Sequence, residues 1–286
     1  MISIKSLSHV SIDRIYDAFV KAFCDYVEPF NLSFEQLKYM IERRGCNLDL
    51  SFGAFNKDKL VGFTLNGIGD WNGILTAYDT GTGIIKEFRK KGIATKLFNI
   101  SLPILREHNI SQYLLEVIRT NTSAYELYRK AGFDVTREFD YYISNKDKIS
   151  INKNRLNKDY SIQIIKSPNW ELFKTFWDFI PSWQNSIDSI NRKLEYFVIL
   201  GIFDKDSIVG YSIVEKETGD IPQLSIDKRC RRKGLATMLF YHLLQYSENE
   251  KIKIINTPKT FYPLKKFATS INLIAGLGQY EMLLKL

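Results

Sequence analysis

Cysteine and histidine are scarce in this chain. The three cysteines, Cys24, Cys46 and Cys230, are odd in number, far apart and without a CxxC pair. That spacing argues against a disulfide framework and a cysteine zinc site, and it fits a reducing, cytoplasmic setting. His9, His108 and His242 form no ligand spacing and no triad, so no metal is expected. No apolar run approaches the roughly 20 residues that cross a bilayer. The opening MISIKSLSHV lacks the charged-then-apolar order of a signal peptide, so no membrane partner is expected.

What is present is ordinary for a folded enzyme: 45% hydrophobic and 25% charged residues. The 286 residues exceed the usual size of one domain, about 100–200 residues, so two domains are expected. The net charge of +8 is gathered at Arg89, Lys90 and Lys91 and at Lys228, Arg229, Arg231, Arg232 and Lys233, each group directly preceding a glycine. Without a long basic stripe or a recognition motif, this pattern disfavours a nucleic-acid partner.

The two clusters belong to a repeat. FRKKGIATKLF at 88–98 returns as CRRKGLATMLF at 230–240, and the turn NKDK at 56–59 has its counterpart in DKDS at 204–207. The polar stretch Ser144–Asp159 reads as a linker, which places the boundary near 150 and divides the chain into domains 1–150 and 151–286. Periodicity predicts strands at Ile2–Lys5, Leu48–Phe55, Leu60–Ile68, Tyr113–Ile118 and Phe139–Ile143, with one more ending at Ile84–Ile85. It predicts helices over Ile12–Cys24, Phe34–Arg43, Ile93–Glu107 and Asn121–Lys130. The second half repeats the order with Ser161–Ile165, Trp170–Ile180, Tyr196–Phe203, Ile208–Glu215, Pro222–Ile226, Leu235–Tyr246 and Ile252–Asn256, followed by a less regular tail. Interleaved strands and helices imply an α/β or α+β fold.

Arg89, Lys90, Lys91, Gly92, Ile93, Ala94 and Thr95 stand where a strand turns into a helix. Consecutive backbone N–H groups there can close around a phosphate, helped by the helix dipole and the flanking cations. A solvated basic turn is the plainer reading of one copy; a second copy in register favours the phosphate. The P-loop pattern GxxxxGK[ST] and the dinucleotide pattern GxGxxG are both missing. Glycines in the strand pattern Asp79–Ile84 suggest a bulge that exposes an amide.

With Arg89, Gly92 and Ala94, and again with Arg231, Gly234 and Ala236, the chain resembles the GCN5-related N-acetyltransferase (GNAT) family, whose cofactor motif is Q/R-x-x-G-x-G/A. Lys86 departs from the proline that many members carry there. The segment from Leu115 to Phe133 is similar to the family signature LEV-x-x-x-N-x-x-A-x-x-LY-x-x-x-GF, above all as found in ribosomal-protein alanine acetyltransferases. The resemblance implies two tandem GNAT-like domains, each a mixed, mostly antiparallel sheet flanked by helices. Acetyl-CoA is implied as co-substrate, held by residues 89–95 and Asn121, with Thr82 and Ile84 along its pantetheine. It also implies Glu116 as general base and Tyr128 as general acid.

The chemistry suits those residue types. An amine of pKa about 10 must lose a proton before attacking a thioester, and the departing thiolate must gain one. Glu116 lies on the apolar run LLEV, where its facing is ambiguous; Tyr128 can equally be a packed helix aromatic, and Asn121 a helix cap. Asp70, Trp71 and Asp79 are either loop residues or groups that draw an ammonium. Glu116, Asn121 and Tyr128 have as counterparts Asn256, Phe261 and Ala268, so the second half is expected to be a degenerate, non-catalytic scaffold. The reading is an N-acetyltransferase acting on a small-molecule or protein amine, with a non-catalytic acetyl-CoA-binding module as the alternative.

Overall fold

Residues 2–26, 32–152 and 157–286 are described in the structure, a computed structural model. Positions 153–156 of the expected linker lie outside the described residues. The chain divides into two units, Met1–Arg137 with Tyr280–Leu286, and Glu138–Gln279.

The first unit holds β1 (Ile2–Ser6), α1 (Ile12–Phe23), α2 (Phe34–Arg43), β2 (Phe52–Asn56), β3 (Lys59–Trp71), β4 (Ile74–Ile84), α3 (Ile93–Glu107), β5 (Gln112–Ile118), α4 (Thr122–Lys130) and the start of β6 (Asp134–Asn145). The second continues with the rest of β6, then β7 (Tyr160–Ile164), α5 (Trp170–Thr175), α6 (Ile187–Asn191), β8 (Phe197–Asp204), β9 (Ser207–Glu215), β10 (Gln223–Ile226), α7 (Leu235–Leu243), β11 (Lys251–Pro258), α8 (Tyr262–Ser270) and β12 (Ile274–Ala275). Strand β13 (Gln279–Lys285) then returns to the first unit.

In the first unit the strand order is β1-β2-β3-β4-β5-β13-β6. Strands β1 to β4 pair antiparallel in sequence, and β4 meets β5 in parallel. Helical spacing explains what covers the sheet. Ile15, Ala18, Phe19 and Ala22 of α1 and Leu37, Met40 and Ile41 of α2 share a core with Phe63 and Leu65. Ile93 and Leu97 of α3 pack on Phe52, Ala54 and Val61, and Phe98 joins Tyr113, Leu115, Val117, Tyr128 and Phe133. A capping box starts α2, with Ser33 Oγ accepting from the Gln36 N–H at 3.2 Å and Gln36 Oε1 from the Ser33 N–H at 2.9 Å. The expected strand from Leu48 begins only at Phe52, because Asn47 Oδ1 takes the N–H groups of Asp49 and Leu50 into a turn.

The second unit repeats this backbone. Its sheet runs β10-β9-β8-β7, all antiparallel, while β11 and β12 pair with β6. The two hairpin turns place Lys57 and Lys205 at the same φ of 55°. Each has a register shift just before it, at Ala54/Phe55 and at Ile202/Phe203.

Three further sequence expectations differ from the structure. The helix expected over Trp170–Ile180 ends at Thr175, since the Phe176 carbonyl accepts from Ser225 Oγ (2.7 Å) and Arg231 Nη2 (3.3 Å) rather than from a further helical turn. The tail is regular: Pro263 starts α8 in a first-turn position where its missing N–H has no helical partner to lose. The boundary near 150 differs from the division of the contacts, because β6 pairs with β11 and β13 belongs with the first unit. A strand that completes a distant sheet leaves no local signature.

One ion pair holds β13 to β6. Glu281, 3% exposed, accepts from Arg137 Nε (2.8 Å) and Nη2 (2.5 Å) and from Thr136 Oγ1 (2.8 Å). Removing one partner of a buried pair leaves the other uncompensated. Glu281→Ala is expected to cost about 3 kcal/mol in denaturant unfolding, with Glu281→Gln in between; an alanine variant as stable as the parent would count against this role.

Candidate active site

Strands β4 and β5 pair only from Thr76–Gln112 to Tyr78–Leu114, after which β4 runs on to Ile84 and β5 to Ile118. The strands therefore part, leaving a gap between them. Opposite β3 the register shifts, with Leu65 facing Gly81 and Asn66 facing Asp79, so Thr80 is an extra residue and β4 carries the expected bulge there. The bulge is pinned from outside: Arg44 Nη1 donates to the Thr80 carbonyl at 3.1 Å and the Cys46 thiol to Thr80 Oγ1 at 3.1 Å.

Two carboxylates and two phenols meet where the strands part. Glu116 is a half-buried residue on an interior strand, and Tyr78 donates its hydroxyl to Glu116 Oε2 at 2.9 Å. Tyr128 packs its ring against Phe98 and Phe133 and donates its hydroxyl to Asp79 Oδ2 at 3.1 Å. It is thus both the packed aromatic and a polar group at the gap. Burial pushes the phenols of Tyr78, Tyr113 and Tyr128 well above their ordinary range.

Asp79 is not a loop residue at a mouth but a buried member of β4. Burial raises its carboxyl to about 6, against the pull of Thr82, Tyr128, the Gly81 N–H and Arg44. Sequence reading singled out Asp79 but gave it another task, and it missed Tyr78, Arg44 and Asp25. A charged residue within the buried run AYDTG was the available signal. Asp70 instead caps the β3–β4 turn through the Gly73 N–H (2.9 Å), and Trp71 is buried with Arg137 over its ring.

The predicted acetyl-CoA contacts fall into three groups. Lys90 (φ 59°) and Gly92 (φ 71°) both take left-handed backbone before α3, and a Cβ built on Gly92 would meet nothing within 4 Å, so the chain is uncrowded beside Gly92 at this helix start. Ile93 can offer only its N–H, since its side chain is buried in the core, whereas Thr95 is exposed. Lys91 Nζ turns back to the Glu87 carbonyl at 2.9 Å.

The Arg89 side chain, expected at a phosphate, has its partners within the protein. Its guanidinium donates to the Ile84 carbonyl (3.0 Å), the Ala22 carbonyl (2.8 Å) and both oxygens of Asp25 (2.7 and 3.0 Å). It clamps the end of α1 to the exit of β4, and with Lys86 it holds the Asp25 carboxyl below its usual range. Thr82 is also engaged within the protein, donating to Asp79 Oδ2 at 2.8 Å, while Ile84 is half-buried against the α3 core. Asn121 caps α4 through the Ala124 N–H (3.2 Å) and donates to the Tyr26 hydroxyl (3.4 Å).

The second unit keeps the frame without these groups. Arg231 donates to the Ile226 carbonyl (3.1 Å) and to both oxygens of Asp178 (3.0 and 2.8 Å), while Arg232 and Gly234 take φ of 64° and 79°. Yet β10 pairs with β9 without a register shift. Phe261 sits at the cap position of α8 and meets Phe179 edge to face at 5.2 Å, where the first unit has Asn121 and Tyr26. Asn256, buried on β11, donates to Ser182 Oγ at 3.0 Å.

Residues 12–133 match the family model described as the acetyltransferase (GNAT) family, and residues 158–261 match one described as an acetyltransferase (GNAT) domain. The chain is 31% identical over 101 residues to N-alpha-acetyltransferase 30 of Schizosaccharomyces pombe, covering 35% of this chain and 67% of that protein. It is 31% identical over 99 residues to N-alpha-acetyltransferase MAK3 of Arabidopsis thaliana, covering 34% and 52%. It thus spans about two thirds of the one relative and half of the other. A solved tandem GNAT protein from the clavulanic acid biosynthesis pathway shares the fold at a TM-score of 0.76 and 12% identity, covering 100% of this chain and 98% of that one.

The raised carboxyl of Asp79 has a consequence for stability. The native state binds this proton more tightly than the unfolded chain does, so stability falls as pH rises from about 4 towards about 6 and stays lowered above. About two pKa units correspond to a ceiling of about 3 kcal/mol. Asp79→Asn is expected to melt above the parent at pH 8, the difference closing by pH 4; a lower melting point at pH 8 would contradict this.

Proposed function

The chain belongs to the GNAT acetyltransferase family and is an acetyl-CoA-dependent N-acetyltransferase; on that premise we propose that the first unit carries the reaction, with Glu116 as base and Tyr128 as acid. The observation that carries the reading is the parting of β4 from β5 beside these two side chains. The amides of Gly92–Thr95 at the start of α3 suit the diphosphate of the co-substrate, with Lys90 and Lys91 beside them. The gap suits its pantetheine arm and thioester, alongside Thr82, Ile84 and Asn121. The N–H groups at the Thr80 bulge suit the thioester oxygen as charge builds on it.

Glu116 takes the proton that the amine must lose, its carboxylate aligned by the Tyr78 hydroxyl. Tyr128 gives a proton to the departing sulfur. A phenol held by burial well above its ordinary range is un-ionised at neutral pH and keeps that proton available. The acceptor class we propose is the α-amino group of a polypeptide, in keeping with the names of the two curated relatives.

The second unit is proposed as a scaffold. It has Asn256, Phe261 and Ala268 in place of Glu116, Asn121 and Tyr128, and a regular strand in place of the bulge.

Thiol release from acetyl-CoA, measured over free-amino peptides, polyamines and amino acids, is expected to be fastest with the peptides. Glu116→Gln and Tyr128→Phe are expected to lower kcat by roughly 100-fold with little change in KM for acetyl-CoA. Turnover on no amine, or variants with undiminished kcat, would remove the reading.

A further inference from the structure

Asp79 is a buried carboxylate to which the reaction as described gives no task. It follows the last paired residue of β4, beside the bulge, and its Oδ2 receives hydrogen bonds from Tyr128 (3.1 Å) and Thr82 (2.8 Å). Thr82 Oγ1 lies 2.9 Å from Thr64 Oγ1, which lies 3.1 Å from the Tyr113 hydroxyl, so the carboxylate ends a buried polar chain. The groups facing it are Thr82, the Gly81 N–H and Tyr78 from β4, Tyr128 from α4, Tyr113 from β5, Tyr26 beyond α1, and the Arg44 guanidinium at the end of α2. Its other oxygen, Oδ1, is buried and makes no hydrogen bond among the described residues.

Two features of Tyr128 call for a second group. Its O–H is committed to Asp79 rather than to the gap, and a phenolate left in its buried site after protonating sulfur would be costly. A protonated Asp79 answers both. Its O–H donates to the phenol oxygen, which frees the Tyr128 O–H for sulfur, and its proton replaces the one Tyr128 gives away.

We propose that Asp79 is a positioning residue and proton reservoir acting through Tyr128, an inference that rests on the reading of Tyr128 as the acid. The C–N bond forms as the amine attacks the thioester carbon, and the C–S bond breaks with its electron pair going to sulfur. The Tyr128 proton passes to that sulfur and the Asp79 proton to the Tyr128 oxygen. The amine proton goes to Glu116 and on to water, and water restores the proton on Asp79, so one proton leaves nitrogen and one arrives at sulfur. A carboxyl raised to about 6 carries the needed proton in a usable fraction of molecules near neutrality.

The test is single-turnover thiol release by the full chain, with acetyl-CoA and the peptide turned over best in the panel above, in mixtures of H2O and D2O. For the parent, the rate plotted against deuterium fraction is expected to bow, as two protons in flight require. Asp79→Asn is expected to be slower by roughly 10- to 100-fold, with a straight plot and unchanged acetyl-CoA affinity. A straight plot for the parent, a bowed plot for Asp79→Asn, or an Asn variant within about threefold of the parent rate would each overturn the proposal. A straight parent plot overturns the proposal even if the variant does not fold. Tyr128→Phe at the parent rate would instead remove the reading beneath it.

Discussion

The extra residue at Thr80 is the constraint on which the rest of the first unit depends. Two parallel strands with unbroken pairing leave no room for a ligand between them, and β4 and β5 stay paired only as far as Tyr78 and Leu114. The bulge turns the following residues out of that ladder, and Arg44 and Cys46 hold it in place. The parting in turn sets where each polar group lies: Asp79 at its root, Glu116 across from Tyr78, and the Gly92 loop after the far end of β4.

The two units share a backbone frame but differ in the side chains that fill it. Both keep an arginine that clamps an aspartate beyond the first helix, a left-handed glycine opening the next helix, and a lysine at φ 55° in the hairpin turn. These features fix chain direction and persist wherever the frame is needed. The polar contact of Asn121 with Tyr26 is replaced by that of Phe261 with Phe179, and the bulge is gone. Apolar packing is the simpler way to fill such a place, because a buried polar group demands a partner.

Much of this was legible in the sequence. The spacing of Ile93, Leu97 and Leu105 gave α3 its bounds, and the glycines after Asp79 pointed to the bulge. The motif around Glu116 and Tyr128 pointed to β5 and α4, which flank the proposed site. The Arg89–Asp25 clamp was not legible, because a basic residue before a glycine looks alike whether it faces a phosphate or an internal carboxylate, and Asp25 lies 64 residues away. The contact of Asp79 with Tyr128 was hidden for the same reason: the two are 49 residues apart, and only folding joins them. The regular tail escaped notice because nothing near Gln279 reveals which sheet a strand will enter.

That tail has a consequence for the order of assembly. Strand β13 enters between β5 and β6, so residues 138–279 must be made before the sheet of the first unit can be completed. Until then, β5 presents unpaired backbone next to the proposed catalytic residues, the kind of edge that recruits stray strands. A chain stopped short of β13 would carry every proposed catalytic residue and still lack the strand that closes the sheet beside Glu116, which ties completion of the first unit to synthesis of the second.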